Sequence, residues 1–499
     1  MKTRQHTAAS TPPERIMLDI CREFFSHLNI AGVRYCHWKS TIRLPEALDG
    51  KTDLDLLVHG DDRQSFDEAL ERFAFKRILS PPWKSYPGVE DFLGFDNTTA
   101  ELVHLHVHYD LVLGEKHLKG HHLAIEEYVL NTRVLTETVP VPMPEVELLL
   151  AIIRMHMKSE LSDIMLNQLK KTLNPSRSPY PTPVWEELRY LVKRVSPDTL
   201  RTVLREMNLP ICEQPIMDYL DKLSRASMKS GDLLEMRQHI FEKMRSFKRI
   251  SPVHYTARKA FIKVRSLPFL RSVQNRKTLP GRGRIFALVG ADGSGKSGLA
   301  KDLESWLSWK LSVRTVYFGI PESMIITCAQ RMTRVLGLAE KYIPGKQAKR
   351  CIRGMVSHID AARWIFIARR RFALFRKSKK LASRGWVVIT DRYPLALFES
   401  MEQPMDGPRL QKQADSTPAL AALEKSTYDR IGLPDRIFML QADFSVLRKR
   451  KDNLDEHQHI RKVTAVNAVK PTECIMPIMV NRPYEDVLMV LKREIWRLL

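Results

Sequence analysis

The sequence predicts a multidomain α/β protein whose carboxy-terminal half is a doubly wound, five-stranded parallel sheet. Two observations predict that half. Five short apolar runs follow residue 284, and helical stretches separate them. A third observation, strand-like alternation in Leu54–Val58 and Leu102–Tyr109, predicts a smaller α/β domain near the start. Between them, three- and four-residue apolar steps predict a helical region.

The chain has 499 residues, more than one hydrophobic core usually organises. Its order is read as a tail over 1–15, an α/β domain over 16–144, a helical region over 145–242, a basic linker over 243–283 and the sheet domain over 284–499. In the first domain, a helix over about 14–28 precedes strand Val33–Trp38, and a second helix covers about 62–74. In the middle, helices are predicted over Glu145–Leu173, about 184–207 and about 213–247, with Pro175–Pro183 as a breaker. The last domain has strands at Ile285–Val289, Thr315–Phe318, Trp386–Thr390, Arg436–Leu440 and Cys474–Val480.

Composition narrows the class. Apolar content of 44% and charged content of 27% are those of a globular protein. No apolar run approaches the roughly 18–20 residues that span a bilayer. The start is polar and lacks a signal-peptide core, so a cytoplasmic protein is expected. Six scattered cysteines without a CxxC pair predict reduced thiols. The net charge of +23 is concentrated: Lys243 to Arg284 carries 13 Lys/Arg and no acid, and Lys341 to Lys380 carries 13 with Asp360 alone opposing them. The first of these segments interleaves cations with Phe247, Tyr255, Phe261, Ile262 and Phe269. It is read as a linker helix packed on a neighbouring domain, with an anionic membrane surface or a nucleic-acid backbone as alternatives, nucleic acid being the least favoured. His358–Phe375 is read as a helix covering the sheet, with Arg369, Arg370 and Arg371 facing bound phosphates.

Gly290, Ala291, Asp292, Gly293, Ser294, Gly295, Lys296 and Ser297 match the pattern GxxxxGK[ST], between a predicted strand and a predicted helix, Ser297–Leu311. Glycines let backbone N–H groups converge on phosphate, and the helix dipole favours the anion. Lys296 is expected on the β- and γ-phosphates of ATP, and Ser297 on Mg²⁺.

From about 284 to 499 the chain resembles the thymidylate kinase family of nucleoside monophosphate kinases. The resemblance rests on the P-loop, on Asp391-Arg392-Tyr393 at a strand end, on Gly432-Leu433-Pro434-Asp435 leading into a strand, and on the basic segment Arg448 to Lys462. It implies that Asp391 helps hold Mg²⁺, that Arg392 grips the acceptor phosphate and that Asp292 approaches the acceptor sugar. It also implies that Arg450 and Arg461, in a lid, stabilise the transferring phosphoryl group. The family's Arg-Glu-Pro is replaced by Gly319-Ile320-Pro321, and Val289 stands where many members carry Glu. The acceptor is therefore left open, with a dTMP-like nucleotide as one option. An ATP-driven scaffold without small-molecule kinase activity is the alternative.

In the first domain, Asp53 and Asp55 lie at i and i+2 on one strand and share a face. With Trp38-Lys39-Ser40 upstream, residues 30–140 resemble the nucleotidyltransferase superfamily, whose paired carboxylates hold a divalent metal. No Asp lies in the middle of the neighbouring strand, which offers His104, His106 and His108 instead. Three readings stay open: metal held by Asp53, Asp55 and an imidazole, an inactive ligand-binding domain, and ordinary polar packing. His121-His122 is read as a solvated pair. The layout also resembles bacterial fusion proteins associated with surface-polysaccharide synthesis, for which the scaffold alternative would serve assembly.

Overall fold

The computed structural model describes residues 17–115, 117–158, 182–265, 276–398, 405–413, 417–450 and 456–499. The tail expected over 1–15, the middle helix beyond Lys158, most of the Pro-rich stretch and Lys451 of the basic lid lie outside them. The chain forms two compact units, Met1–Asn275 and Arg276–Leu499.

Unit 1 contains a five-stranded mixed sheet. Its strands are β1 (Tyr35–His37), β2 (Leu54–Val58), β3 (Lys76–Ile78), β4 (Val89–Phe95) and β5 (Leu102–His108), in spatial order β1-β2-β5-β4-β3. Strand β2 runs parallel to β5, while β4 runs antiparallel to it. Period two sends Leu54 and Leu56 into a core with Phe24, Phe25, Phe66 and Leu70 from helices Asp19–Ile30 and Arg63–Arg72. Asp55 therefore faces the other way, in register with His106.

The helical region packs against the same unit. Helix Pro144–Lys158 buries residues all round, the apolar Val146, Leu149, Ile152 and Ile153 together with the polar Glu145, Glu147 and His156. The helix predicted over 184–207 is two, Thr182–Val192 and Pro197–Glu206. Pro197 has no N–H and clashes with a preceding turn, so it starts a helix rather than continuing one. The helix predicted over 213–247 also divides, into Glu213–Ser224 and Ser230–Lys243, because Ala226 adopts left-handed backbone at φ 51°. A two-stranded ribbon, β6 (Leu111–Leu113) with β7 (His121–Leu123), completes the unit. His121 is buried against Phe241, so it is no solvated residue; only His122 reaches the surface, bonded to Glu126 at 2.8 Å. Apolar neighbours of the ribbon draw in every second side chain, and His121 falls on that side.

Helix Pro252–Arg265 buries no residue fully, yet its cations are engaged within unit 1. Lys259 pairs with Glu115 at 2.5 Å, and Arg265 lies 3.8 Å over the ring of Trp83.

Unit 2 is the predicted parallel sheet: β8 (Ile285–Gly290), β9 (Val313–Tyr317), β10 (Val387–Asp391), β11 (Arg436–Gln441) and β12 (Ile475–Met479), ordered β12-β11-β8-β10-β9. All four pairings are parallel. Chain order reverses at β8, so the loops leaving β8 and β10 open on the crevice where such sheets bind ligands. Helix Lys346–Ala382 meets the sheet core through its last turns, with Leu374, Phe375, Leu381 and Ala382, whereas Trp364, Ile365 and Ile367 pack in a separate cluster with Ile326, Leu410 and Ala421. No helix among the described residues is long and apolar enough to cross a membrane.

Candidate nucleotide site

The loop after β8 has the geometry that anion binding needs. A Cβ on Gly290 would lie 2.8 Å from the carbonyl oxygen of Leu440, so only glycine allows β8 and β11 this approach. Gly295, at φ 86°, turns the chain directly into helix Lys296–Leu307. The helix N-terminus therefore points at the concave side of the turn.

Lys296 is 5% exposed, and its ammonium lies inside the loop. Nζ donates to the carbonyls of Gly290 at 3.0 Å and Ala291 at 2.7 Å, and to Ser294 Oγ at 3.2 Å. Burial, then the Arg392 guanidinium, lowers its pKa to about 8. Ser297 Oγ donates to Asp391 Oδ2 at 2.5 Å. The other carboxylate oxygen, Asp391 Oδ1, is buried without a hydrogen-bond partner. A carboxylate oxygen is seldom left so, and an oxygen-seeking cation would satisfy it.

Arg392 has left-handed backbone, φ 70°, which turns its side chain away from the strand axis. Its guanidinium pairs with Asp292 at 2.6 Å and reaches Asp406 at 3.5 Å. Burial opposes its charge, but Asp406 and Asp292 outweigh burial and raise its pKa. Asp292 also meets Lys462 at 3.4 Å. Burial alone would raise the Asp292 pKa; Arg392 and Lys462 hold it far below the usual carboxylate range.

The sequence-predicted residues do not all converge. Lys296, Ser297, Asp391, Arg392 and Asp292 form one cluster. Arg450 ends helix Phe444–Arg450 and donates to the Val480 carbonyl at 3.2 Å, so it caps β12 rather than reaching the loop. Its helix abuts the loop: a Cβ on Gly293 would lie 3.1 Å from the Leu447 carbonyl. Arg461 is exposed on helix Glu456–Asn467, while its neighbour Lys462 turns to Asp292. Of the three arginines expected on bound phosphates, Arg369 and Arg370 are exposed. Arg371 is buried, pairing with Asp406 at 2.8 Å and donating to the Phe318 carbonyl at 2.7 Å. Asp406, which links Arg371 to Arg392, has no local sequence signal beyond an Asp-Gly turn.

A second polar cluster lies in unit 1. Asp55 Oδ1 meets Lys39 Nζ at 2.7 Å and His106 Nδ1 at 2.9 Å, and His108 Nε2 is 3.4 Å from His106 Nδ1. Asp53 is not part of this convergence; it pairs with His104 at 2.9 Å. The far side of His104 meets Asp91 at 3.2 Å. The additional carboxylate thus comes from β4, in register with His106, and not from β5. Burial and then His106 push the His108 pKa well down. Burial would raise that of Asp55, but Lys39 and His106 hold it low. Near neutral pH the cluster is an ionised carboxylate beside uncharged imidazole, the protonation state of a metal-ligand set. The Ser40 turn is already engaged: Ser40 Oγ donates to Glu187 at 3.1 Å, and the Thr41 N–H to Glu147 at 2.8 Å.

A search of protein-family models finds no match. Two proteins of Escherichia coli (strain K12) are similar in sequence. One, named uncharacterized ATP-binding protein YghR, is 26% identical over 221 residues, 42% of this chain and 84% of that protein. The other, uncharacterized ATP-binding protein YghS, is 29% identical over 131 residues, 26% of this chain and 54% of that protein. Among solved structures, a thymidylate kinase from Candida albicans aligns over 44% of this chain and 92% of its own, at 20% identity and a TM-score of 0.27.

Proposed function

We propose that unit 2 binds ATP with Mg²⁺ and transfers the γ-phosphoryl group to a small acceptor. One observation carries this reading: Ser297 and Asp391 meet beside Lys296, with a buried oxygen of Asp391 unpartnered. Ser297 and Asp391 are hard oxygen donors, as Mg²⁺ requires. When bound, the ion neutralises charge on the β- and γ-phosphates. Lys296 adds its ammonium from the loop side once it leaves the carbonyls it now bonds. An acceptor oxygen forms a bond to the γ-phosphorus, the bond to the β–γ bridging oxygen breaks, and ADP carries away that electron pair. Arg392 holds the acceptor, released from Asp292 or Asp406 as the acceptor arrives. Lys462, whose ammonium meets Asp292 at 3.4 Å, is assigned the stabilising role first. The likeness to YghR, named as ATP-binding, supports the nucleotide part.

Isothermal titration with MgATP, followed by ADP release against nucleoside monophosphates (dTMP among them) and sugars, tests the proposal. Saturable binding and acceptor-dependent ADP release are expected. Absence of ATP binding sinks it. Binding without release on any acceptor favours the scaffold reading, for which the twofold carboxylate pairing of Arg392 speaks.

For unit 1 we infer a divalent-metal site at Asp55, His106 and His108, whose ligand atoms lie within 4.8 Å of one another. Two imidazoles and a carboxylate suit Zn²⁺ or Mn²⁺ better than Mg²⁺. An ion there must displace the Lys39 ammonium from Asp55. Lys39→Ala is therefore expected to raise Zn²⁺ affinity, and Asp55→Asn to lower it by about tenfold or more. Competition with a chromogenic chelator reads both. A weaker site in Lys39→Ala would count against the assignment. Nucleotidyl transfer in this unit would draw on Asp53 and Asp55 of β2, with Asp91 of β4 beyond His104, and pyrophosphate release is its measurement.

A further inference from the structure

The helix Met324–Tyr342 buries one side chain fully, Ile326, although it is 19 residues long. Ile325, Cys328, Met332, Val335, Ala339 and Tyr342 follow one another at three- and four-residue steps and so share a face. That face is open to water: Met332 is 53% exposed, Val335 63% and Tyr342 84%, and Met324 and Leu338 extend it. A contiguous apolar face of this kind on a folded protein marks a contact surface.

Its charge selects the partner. Arg331, Arg334 and Lys341 lie along the helix, and Lys346, Lys349 and Arg350 follow in the next. All six lack a carboxylate partner among the described residues. The single acid of the stretch, Glu340, is taken by Arg353 at 2.6 Å. A second copy of the chain docked symmetrically on this face would set like charges against each other. A nucleic-acid backbone would meet the cations but leave the apolar stripe in water. An anionic bilayer satisfies both features, with the stripe at the acyl boundary and the cations among headgroups. Helix Pro252–Arg265 of the basic linker is the weaker candidate, because Lys259 and Arg265 are already engaged.

We propose that the helix Met324–Tyr342 lies in the plane of an anionic phospholipid surface and brings unit 2 to the membrane. The test is flotation of the full chain with vesicles of phosphatidylcholine alone or mixed with phosphatidylglycerol, at low and high salt. Wild type is expected to float with the anionic vesicles only, and less at high salt. The variants Met332→Glu with Val335→Glu, and Arg331→Glu with Arg334→Glu, are expected to bind the anionic vesicles at least about tenfold more weakly. Their ATP affinity stays that of wild type, which shows that unit 2 remains folded. No flotation of wild type, or undiminished flotation of either variant, overturns the proposal. So does a wild-type dimer that the glutamate variant disperses, since a second copy would then cover the face.

Discussion

Under the proposed phosphoryl transfer, Lys296→Met is expected to lower kcat roughly 10²–10³-fold, about 3–4 kcal/mol of transition-state stabilisation. The loss is not one of folding. In the unliganded protein the ammonium is buried, and its pKa lies at about 8 against 10.5 for a free lysine. Between those values the unfolded chain binds more protons than the folded one, so this group's contribution to stability rises with pH. It is complete above about 10.5 and is lost as pH falls through 8, a span of about 3 kcal/mol. Urea midpoints measured on either side of pH 8 should therefore differ between wild type and Lys296→Met, with wild type gaining more on the alkaline side. ATP binding reverses the sign: a polyanion beside Nζ raises its pKa, so binding takes up a proton. Affinity is then flat below about pH 8 and falls above it in wild type, and stays flat in the variant. Turnover by Lys296→Met within a few-fold of wild type would remove the assignment, whatever its stability.

Asp391→Asn should show the second-largest effect. Asparagine keeps the shape and one acceptor for the Ser297 hydroxyl but removes the charge and one of two oxygens. The Mg²⁺ dependence of ATP binding should weaken, and kcat/KM should fall by about 10²-fold. Thermal unfolding without ligand should move no lower. The lost group is a buried carboxylate with an unpartnered oxygen, whose desolvation costs stability in the unliganded state. A magnesium titration at fixed ATP and a melting curve measure the two halves. Unchanged magnesium dependence would dissociate Asp391 from the metal. A large drop in melting temperature would make it a structural residue instead.

Much of unit 2 was legible because its signals are local. A buried parallel strand is an apolar run, and five such runs separated by helical stretches specify the layer order. The P-loop is eight consecutive residues, and Asp391-Arg392 follows a strand directly. Unit 1 was less legible: β4 carries Asp91, but its pairing with β5 depends on antiparallel register across intervening turns. The divided helices of the middle region show another limit. Pro197 was visible in the sequence, whereas the left-handed turn at the exposed Ala226 carries no glycine or asparagine to announce it.

The sequence by itself determined which chemical groups the protein owns and the elements that carry them: an anion-binding loop, a carboxylate and a guanidinium at a strand end, and paired aspartates on a strand. Tertiary structure alone decided which charges meet. Asp406 comes to Arg392, Lys462 to Asp292, and Glu187 and Glu147 to the Ser40 turn across 14 to 170 residues of chain. A hydrophobic period can be read along a few turns of chain, whereas an ion pair depends on distances that exist only after the sheets and helices have packed.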